Sequence, residues 1–155
     1  MRKGEPQRKE YFEGILQLRN PSDELIDVAY NLISRYPDTR VAKEKKVRGG
    51  LDLYISNQRF LRRVGEKLSR RFIGMCKITA TLHTQDKQTS KELYRVTALF
   101  RLASFSKGER FTVRGVEMEV IRIAANVVMQ EVNSGRKHYI DFEEVEKAHA
   151  RAALV

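Results

Sequence analysis

The sequence has one cysteine, Cys76, no tryptophan, and no apolar run near the roughly 20 residues that a membrane-spanning helix needs. A single cysteine excludes an internal disulfide and a cysteine-rich zinc site. Residues 1–10 are polar and charged and lack the apolar segment of a secretion signal. From these absences we expect a cytoplasmic protein with no membrane partner and no metal.

Positive charge is abundant and unevenly distributed. The chain of 155 residues contains 30 Lys and Arg and 20 Asp and Glu, a formal net charge of +10. Residues 1–104 contain 22 basic and 12 acidic residues, whereas residues 105–155 contain 8 of each. This local excess predicts a polyanionic partner, nucleic acid before an anionic membrane. The shift in charge also predicts a domain boundary near residues 104–108.

Residues 1–104 alternate between strand and helix patterns. The basic segment at residues 1–9 is predicted to be disordered. Asn20 is predicted to cap the first helix, and Ser56 or Asn57 is predicted to cap the second. The predicted order is strand 11–19, helix 21–36, strands 39–47 and 51–55, helix to about Phe72, and strands 75–84 and 91–103, the last two joined by a hairpin loop at 85–90. This β-α-β-β-α-β-β order predicts an α+β layer with two helices on one face of a sheet.

Residues 105–155 have a different pattern. Short strands at close spacing are predicted at residues 110–114, 116–123, 126–132 and 136–142, followed by a short terminal helix. Such spacing predicts a small SH3-like or OB-like β-barrel.

The second predicted helix separates apolar from basic residues. At about 100° per residue, one face carries Phe60, Leu61, Val64 and Leu68. The opposite face carries Arg59, Arg62, Arg63, Lys67, Arg70 and Arg71. Guanidinium groups pair with phosphate oxygens in a bidentate way, so this face is predicted to bind RNA. The alternative is a solvated basic face without a ligand.

A second basic cluster precedes the Gly49-Gly50 pair. It consists of Lys43, Lys45, Lys46 and Arg48. Paired glycines allow close approach of a phosphate, although an ordinary tight turn is the commoner use. Aromatic stacking on single-stranded bases is a further possibility for Tyr54, Tyr94 and Tyr139, with core packing as the alternative.

Nothing in the sequence has the spacing of a catalytic or nucleotide-binding motif. The histidines, His83, His138 and His149, form no metal pair at i, i+4. Cys76 is predicted to be a core thiol, and Asp52 to make a structural hydrogen bond. We therefore predict a protein that is not an enzyme and has no cofactor or small-molecule substrate.

Several short motifs resemble the Nmd-three family in order and spacing. A Gly-x-Asp-x-Tyr-x-Ser strand followed by a basic helix is matched by Gly50, Asp52, Tyr54 and Ser56. A Tyr-Arg-x-Thr motif is matched by Tyr94, Arg95 and Thr97, and a Lys-Gly motif by Lys107 and Gly108. Residues 11–20 resemble the segment that follows the family's zinc region. The resemblance covers about residues 10–145.

The resemblance implies a factor of ribosome biogenesis. Eukaryotic members bind the nascent large ribosomal subunit and adapt it to the nuclear export receptor. It implies a ribosomal-protein-like α+β domain at 1–104 and a barrel similar to that of translation initiation factor five-A at 105–155. The family's cysteine pairs and export tail are missing from this sequence. In this respect the sequence resembles an archaeal-type member that lacks the zinc region.

The predicted function is non-enzymatic binding to the large ribosomal subunit in its biogenesis or quality control. The expected partners are ribosomal RNA and large-subunit proteins. The alternatives from the sequence are a small RNA-processing enzyme and a structural ribosomal protein.

Overall fold

The computed structural model describes residues 11–85 and 92–154, which form two sheets and three helices. In chain order the elements are β1 (Gly14–Arg19), α1 (Asp23–Arg35), β2 (Val41–Val47), β3 (Gly50–Ile55), α2 (Gln58–Arg71), β4 (Gly74–Gln85), β5 (Glu92–Leu102), β6 (Arg110–Val113), β7 (Val116–Arg122), β8 (Asn126–Glu131), β9 (Lys137–Asp141) and α3 (Phe142–Ala153). The first seven follow the predicted β-α-β-β-α-β-β order. The basic segment at residues 1–9 and nearly all of the predicted hairpin loop lie outside the described residues.

The first sheet has the strand order β2-β3-β1-β5-β4. Its central strand β1 runs antiparallel to β3 and parallel to β5. Leu16 and Leu18 of β1 are fully buried in one core with the apolar sides of α1 and α2. We call the face that these helices cover the helix face and the other the open face. Strand alternation places Gln17 and Arg19 on the open face.

Helix capping agrees with the sequence at α2 but not at α1. Asn57 Oδ1 accepts a hydrogen bond from Arg59 N at 3.0 Å, as one of the two predicted caps. The prediction that Asn20 caps α1 is wrong, because the cap is Ser22, whose Oγ accepts a hydrogen bond from Leu25 N at 3.1 Å. Asn20 adopts a left-handed conformation with φ of 50° and donates from Nδ2 to Leu102 O at 3.1 Å. Asparagine tolerates this conformation. The side chain of Asn20 therefore makes a tertiary contact with β5 and does not cap the helix.

We call the first sheet with α1 and α2 the first module, and the second sheet with the helix across it the second module; the second sheet is open. Its strand order is β6-β7-β8-β9, and all neighbours are antiparallel. In the part of the chain that the structure describes, β6 does not pair with β9, which corrects the predicted SH3-like or OB-like barrel. The terminal helix α3 packs on β6, β8 and β9 and buries Phe142, Val145 and Ala148. The helix therefore covers the apolar face that barrel closure would have enclosed.

The two modules share part of their apolar surface. Met75 of β4 belongs to the core of the second module, and Leu99 and Ala103 pack against that core. Arg101 Nη1 also lies 3.8 Å from Glu146 Oε2 of α3. Among the described residues, the second module therefore lies against the end of the open face near Met75 and not against the opposite end.

Close packing of α2 on the sheet depends on Gly65. A Cβ at this position would lie 2.1 Å from Cys76 Sγ of β4. Burial raises the pKa of the Cys76 thiol, which favours its neutral form and agrees with the predicted core role.

Replacing Gly65 therefore gives the first prediction. We expect Gly65→Ala to lower the free energy of unfolding by about 1–3 kcal/mol, because the added methyl group overpacks the contact with Cys76. In a Cys76→Ala background the sign should reverse, to a gain of up to about 1 kcal/mol from the higher helix propensity of alanine. Urea unfolding of the four proteins measures both effects. Equal losses in both backgrounds would contradict this account of Gly65.

Candidate nucleic-acid interface

Helix α2 is anchored by its apolar side and by its first turn. Its buried residues are Phe60, Leu61, Val64, Gly65 and Leu68, and it packs on β1, β4 and β5. At its N-terminus Glu13 Oε1 accepts a hydrogen bond from Gln58 N at 3.0 Å. A carboxylate here also interacts favourably with the positive end of the helix dipole. The anchored helix presents its remaining side chains to solvent.

All six basic residues predicted on α2 are exposed. They are Arg59, Arg62, Arg63, Lys67, Arg70 and Arg71. The three in the C-terminal half have partners within the protein. Arg70 Nη2 lies 2.8 Å from Glu66 Oε1, and Arg71 Nη2 lies 3.4 Å from Glu24 Oε1. Lys67 Nζ lies 5.6 Å from the ring centroid of Tyr36.

The arginines of the N-terminal half differ in this respect. Within residues 11–85 and 92–154, no carboxylate lies within salt-bridge distance of Arg59, Arg62 or Arg63. Their guanidinium groups can therefore bind an anion without first breaking an ion pair. This difference identifies the first two turns of α2 as the strongest candidate phosphate site.

The β2 cluster lies apart from the basic face of α2. Strand β2 forms one edge of the sheet, whereas α2 packs near the other edge. Lys43 and Lys45 pair with Tyr54 and Asp52 across β2 and β3, so both lie on the open face. Lys46 instead lines a cavity of about 740 Å³. The structure therefore does not join the two predicted clusters into one surface.

Arg48 is exposed in the turn between β2 and β3, next to Gly49. The φ of Gly49 is +75°, in the left-handed region that favours glycine. The glycine pair thus has at least the ordinary turn role that the sequence left open.

The three tyrosines considered for base stacking lie on different surfaces. Tyr139 is on β9 of the second module and is 71% exposed. Tyr94 pairs with Leu82 between β5 and β4, on the helix face. Tyr54 lies on the open face, where its ring is 4.9 Å from that of Phe12, centroid to centroid. The position of Phe12 was missed, because its strand pattern alone assigns it to the opposite face.

The structure pairs two histidines with carboxylates, one seven residues away and the other 40 residues away. His138 Nε2 lies 2.9 Å from Glu131 Oε2, and this hydrogen bond lowers the pKa of Glu131. His149 Nε2 lies 2.7 Å from Glu109 Oε1. A hydrogen bond from Ser106 N, and then the one from His149, lowers the pKa of Glu109. These contacts join neighbouring strands in one case and α3 to the start of β6 in the other.

The described residues include no group of three or more His, Cys, Asp or Glu placed to hold a metal ion. Among the same residues, no helix combines the length and apolar character needed to cross a membrane.

Residues 11–102 match the family model described as NMD3, second domain, over more than half of the chain. The chain belongs to the NMD3 family. No curated protein matches the sequence.

Most residues of the NMD3-like strand motif have structural roles. A Cβ at Gly50 would lie 2.1 Å from Leu18 O, so the close pairing of β3 with β1 requires glycine. Ser56 Oγ accepts a hydrogen bond from Arg40 N at 2.9 Å. Asp52 Oδ1 accepts from Arg19 Nη1 at 2.7 Å, which confirms the predicted structural hydrogen bond.

The other motif residues lie on several surfaces. Tyr54, Arg95 and Thr97 are on the open face, whereas Tyr94 is on the helix face. Gly108 precedes β6 and donates from its backbone N to Val120 O at 2.8 Å.

The Arg19–Asp52 pair gives the second prediction. Both side chains are largely buried, with 19% and 12% of their surface exposed. We expect Asp52→Asn to lower the free energy of unfolding by about 1–3 kcal/mol, because it leaves a partly buried guanidinium without its counter-charge. The same change in an Arg19→Gln background should cost less. Chemical unfolding of the double-mutant cycle measures this coupling, and additive effects would argue against it.

Proposed function

We propose that this chain is a non-enzymatic RNA-binding factor that associates with the large ribosomal subunit in its biogenesis or quality control. NMD3 family proteins associate with the large ribosomal subunit, which supports a ribosomal partner. The observation that carries the RNA-binding part is the set of three exposed arginines, Arg59, Arg62 and Arg63, without carboxylate partners in the described structure.

The chemistry of these arginines favours phosphate. Guanidinium groups present parallel N–H donors that match two phosphate oxygens, and they remain charged at all physiological pH values. Each phosphate contact also releases counterions, so affinity falls steeply with salt. In this proposal the first two turns of α2 bind the RNA backbone. Lys67, Arg70 and Arg71 then contribute by exchanging their internal partners for phosphate.

The β2 cluster is proposed as a second contact with RNA. Lys43, Lys45 and Arg48 are exposed along the sheet edge and its turn, and Lys46 borders the neighbouring cavity. Two separated basic surfaces suit a structured RNA, in which phosphates approach a protein from more than one side.

The two modules are proposed to have different tasks. The family match ends at Leu102, close to the predicted boundary at residues 104–108. The charge excess lies entirely in residues 1–104, while residues 105–155 are neutral overall. We assign affinity for phosphate to the first module. The second module, which gains no net attraction to phosphate, is assigned contacts that select the large subunit.

The third prediction tests α2 directly. Changing Arg59, Arg62 and Arg63 together to Gln should weaken binding to structured ribosomal RNA on the order of 10- to 100-fold near 0.1 M salt. The slope of log affinity against log salt should fall by about 2–3, since three phosphate contacts are lost. Fluorescence anisotropy across a salt series measures both quantities.

A matched control removes the same charge elsewhere. Changing Arg122, Arg136 and Lys137 to Gln lowers the net charge equally, but at exposed positions of the neutral module. Its affinity and salt slope should remain near those of the unchanged protein. If both triple variants lose affinity equally, general charge and not α2 is responsible.

The fourth prediction concerns the choice of subunit. At near-physiological salt the full chain should co-sediment with purified large subunits in preference to small subunits. Phosphate attraction alone would treat both subunits alike, so a preference would report the selective contacts assigned to the second module. The α2 triple variant should bind large subunits more weakly. Equal binding of the unchanged protein to both subunits would remove the large-subunit part of the proposal and leave a general RNA-binding protein.

A further inference from the structure

Four side chains form a continuous row across the end of the open face that lies away from Met75. Lys43 Nζ lies 5.4 Å from the centroid of the Tyr54 ring. The Tyr54 ring meets the Phe12 ring at 4.9 Å with an interplanar angle of 88°. Arg95 Cζ lies 4.2 Å from the centroid of Phe12. We call Lys43, Tyr54, Phe12 and Arg95 the aromatic row.

Two departures from regular strand geometry build this row. A bulge between Val41 and Lys43 turns Lys43 to the open face, since Val41 pairs with the core residue Ile55 on the helix face. A bend at Glu13 turns Phe12 to the open face as well, whereas regular alternation would place Phe12 beside Gly14 on the helix face. Each departure brings one member of the row to the open face.

The bend at Glu13 is held in place by hydrogen bonds. Glu13 Oε1 accepts from Gln58 N at 3.0 Å, and Glu13 Oε2 accepts from the Tyr11 hydroxyl at 2.8 Å. Burial and this bond to Glu13 raise the pKa of Tyr11 to about 12, so the hydroxyl keeps the proton that it donates. These bonds hold the two residues that flank Phe12 in the chain.

Core packing does not account for the two rings. Neither Phe12 nor Tyr54 belongs to, or packs against, either of the two apolar cores of the described residues. Both rings are partly exposed, and their contacts in the row are with each other and with cations. Aromatic rings that stand outside the core beside cations are typical of surfaces that bind bases.

The charge of the open face favours an anionic ligand. Strand alternation places six basic residues on it: Arg19, Lys43, Lys45, Lys77, Arg95 and Arg101. Two of the six have carboxylate partners: Arg19 pairs with Asp52 of the same face, and Arg101 pairs with Glu146 of α3. A ligand at the aromatic row therefore meets aromatic faces beside Lys43, which has no salt bridge within residues 11–85 and 92–154.

We propose that the aromatic row binds unpaired RNA bases. A base stacks on Tyr54 or Phe12 and displaces the capping cation, which then pairs with the adjoining phosphate. This exchange is favourable because stacking of a base on an aromatic ring is stronger than an exposed cation–π contact. The inference rests on the proposed RNA-binding function and adds to it a site for single strands, on the opposite face of the sheet from α2.

The test measures the affinity of the full chain for three probes. They are fluorescein-labelled oligouridine of about 12 nucleotides, a blunt RNA duplex of about the same length, and an abasic oligonucleotide that keeps only sugar and phosphate. Tyr54→Leu and Phe12→Leu should each weaken oligouridine binding about 5- to 100-fold. Duplex and abasic affinity, and the salt slope, should stay unchanged because no phosphate contact is removed.

Two control variants separate stacking from general damage. Tyr54→Phe keeps the ring and should keep the affinity for oligouridine. Tyr139→Leu removes a more exposed ring from the second module and should have no effect. Ultraviolet crosslinking of the unchanged protein to oligouridine, read by mass spectrometry, tests the site without mutation. Crosslinks should map to peptides containing Phe12 or Tyr54.

The outcomes distinguish this inference from the proposed function. Unchanged oligouridine affinity in both leucine variants, or crosslinks confined to other regions, would overturn the aromatic-row site. The α2 triple variant would still report on the backbone site. Leucine variants that keep oligouridine affinity but lose binding to large subunits would assign the row to a ribosomal protein, which also overturns the proposal. Loss of oligouridine affinity with no effect of the α2 triple variant would leave the aromatic row and reject the α2 interface.

Discussion

The packing of α2 against the first sheet is the constraint on which both candidate surfaces depend. Gly65 allows the helix to reach Cys76, and the buried apolar side fixes the rotation of the helix about its axis. That rotation directs Arg59, Arg62 and Arg63 to solvent. Glu13 joins the first turn of α2 to the strand β1, and the bend at Glu13 brings Phe12 to the open face.

The sheet therefore separates two kinds of surface. On the helix side, arginines without carboxylate partners in the described part of the chain offer charge and planar donors, which suit the phosphate backbone. On the open side, aromatic rings stand beside Lys43 and Arg95, which suits bases as well as phosphates. In the function that we propose, one face binds the paired segments of a folded RNA and the other binds its unpaired segments. The second module lies against the other end of the open face, and the Phe12 and Tyr54 side chains are partly exposed.

The sequence predicted those features that depend on short-range periodicity. The amphipathic pattern of residues 58–71 predicted the helix α2, its buried side and its basic side, because a helix repeats every 3.6 residues. Alternation around Asp52 likewise predicted β3. The predicted barrel failed because strand spacing alone does not distinguish a closed sheet from an open one covered by a helix. The Asn20 cap failed because a contact with Leu102, far away in sequence, competed with the local one.

What the sequence by itself determined is the order of the elements, the family motifs and the excess of positive charge in the first module. These follow from local pattern and composition, which no tertiary contact changes. Only the tertiary structure paired Arg71 with Glu24, since that contact depends on the packing of α2 beside α1. It also decided that Phe12 joins Tyr54, because a bend and a bulge override the alternation of side chains that a strand pattern assumes.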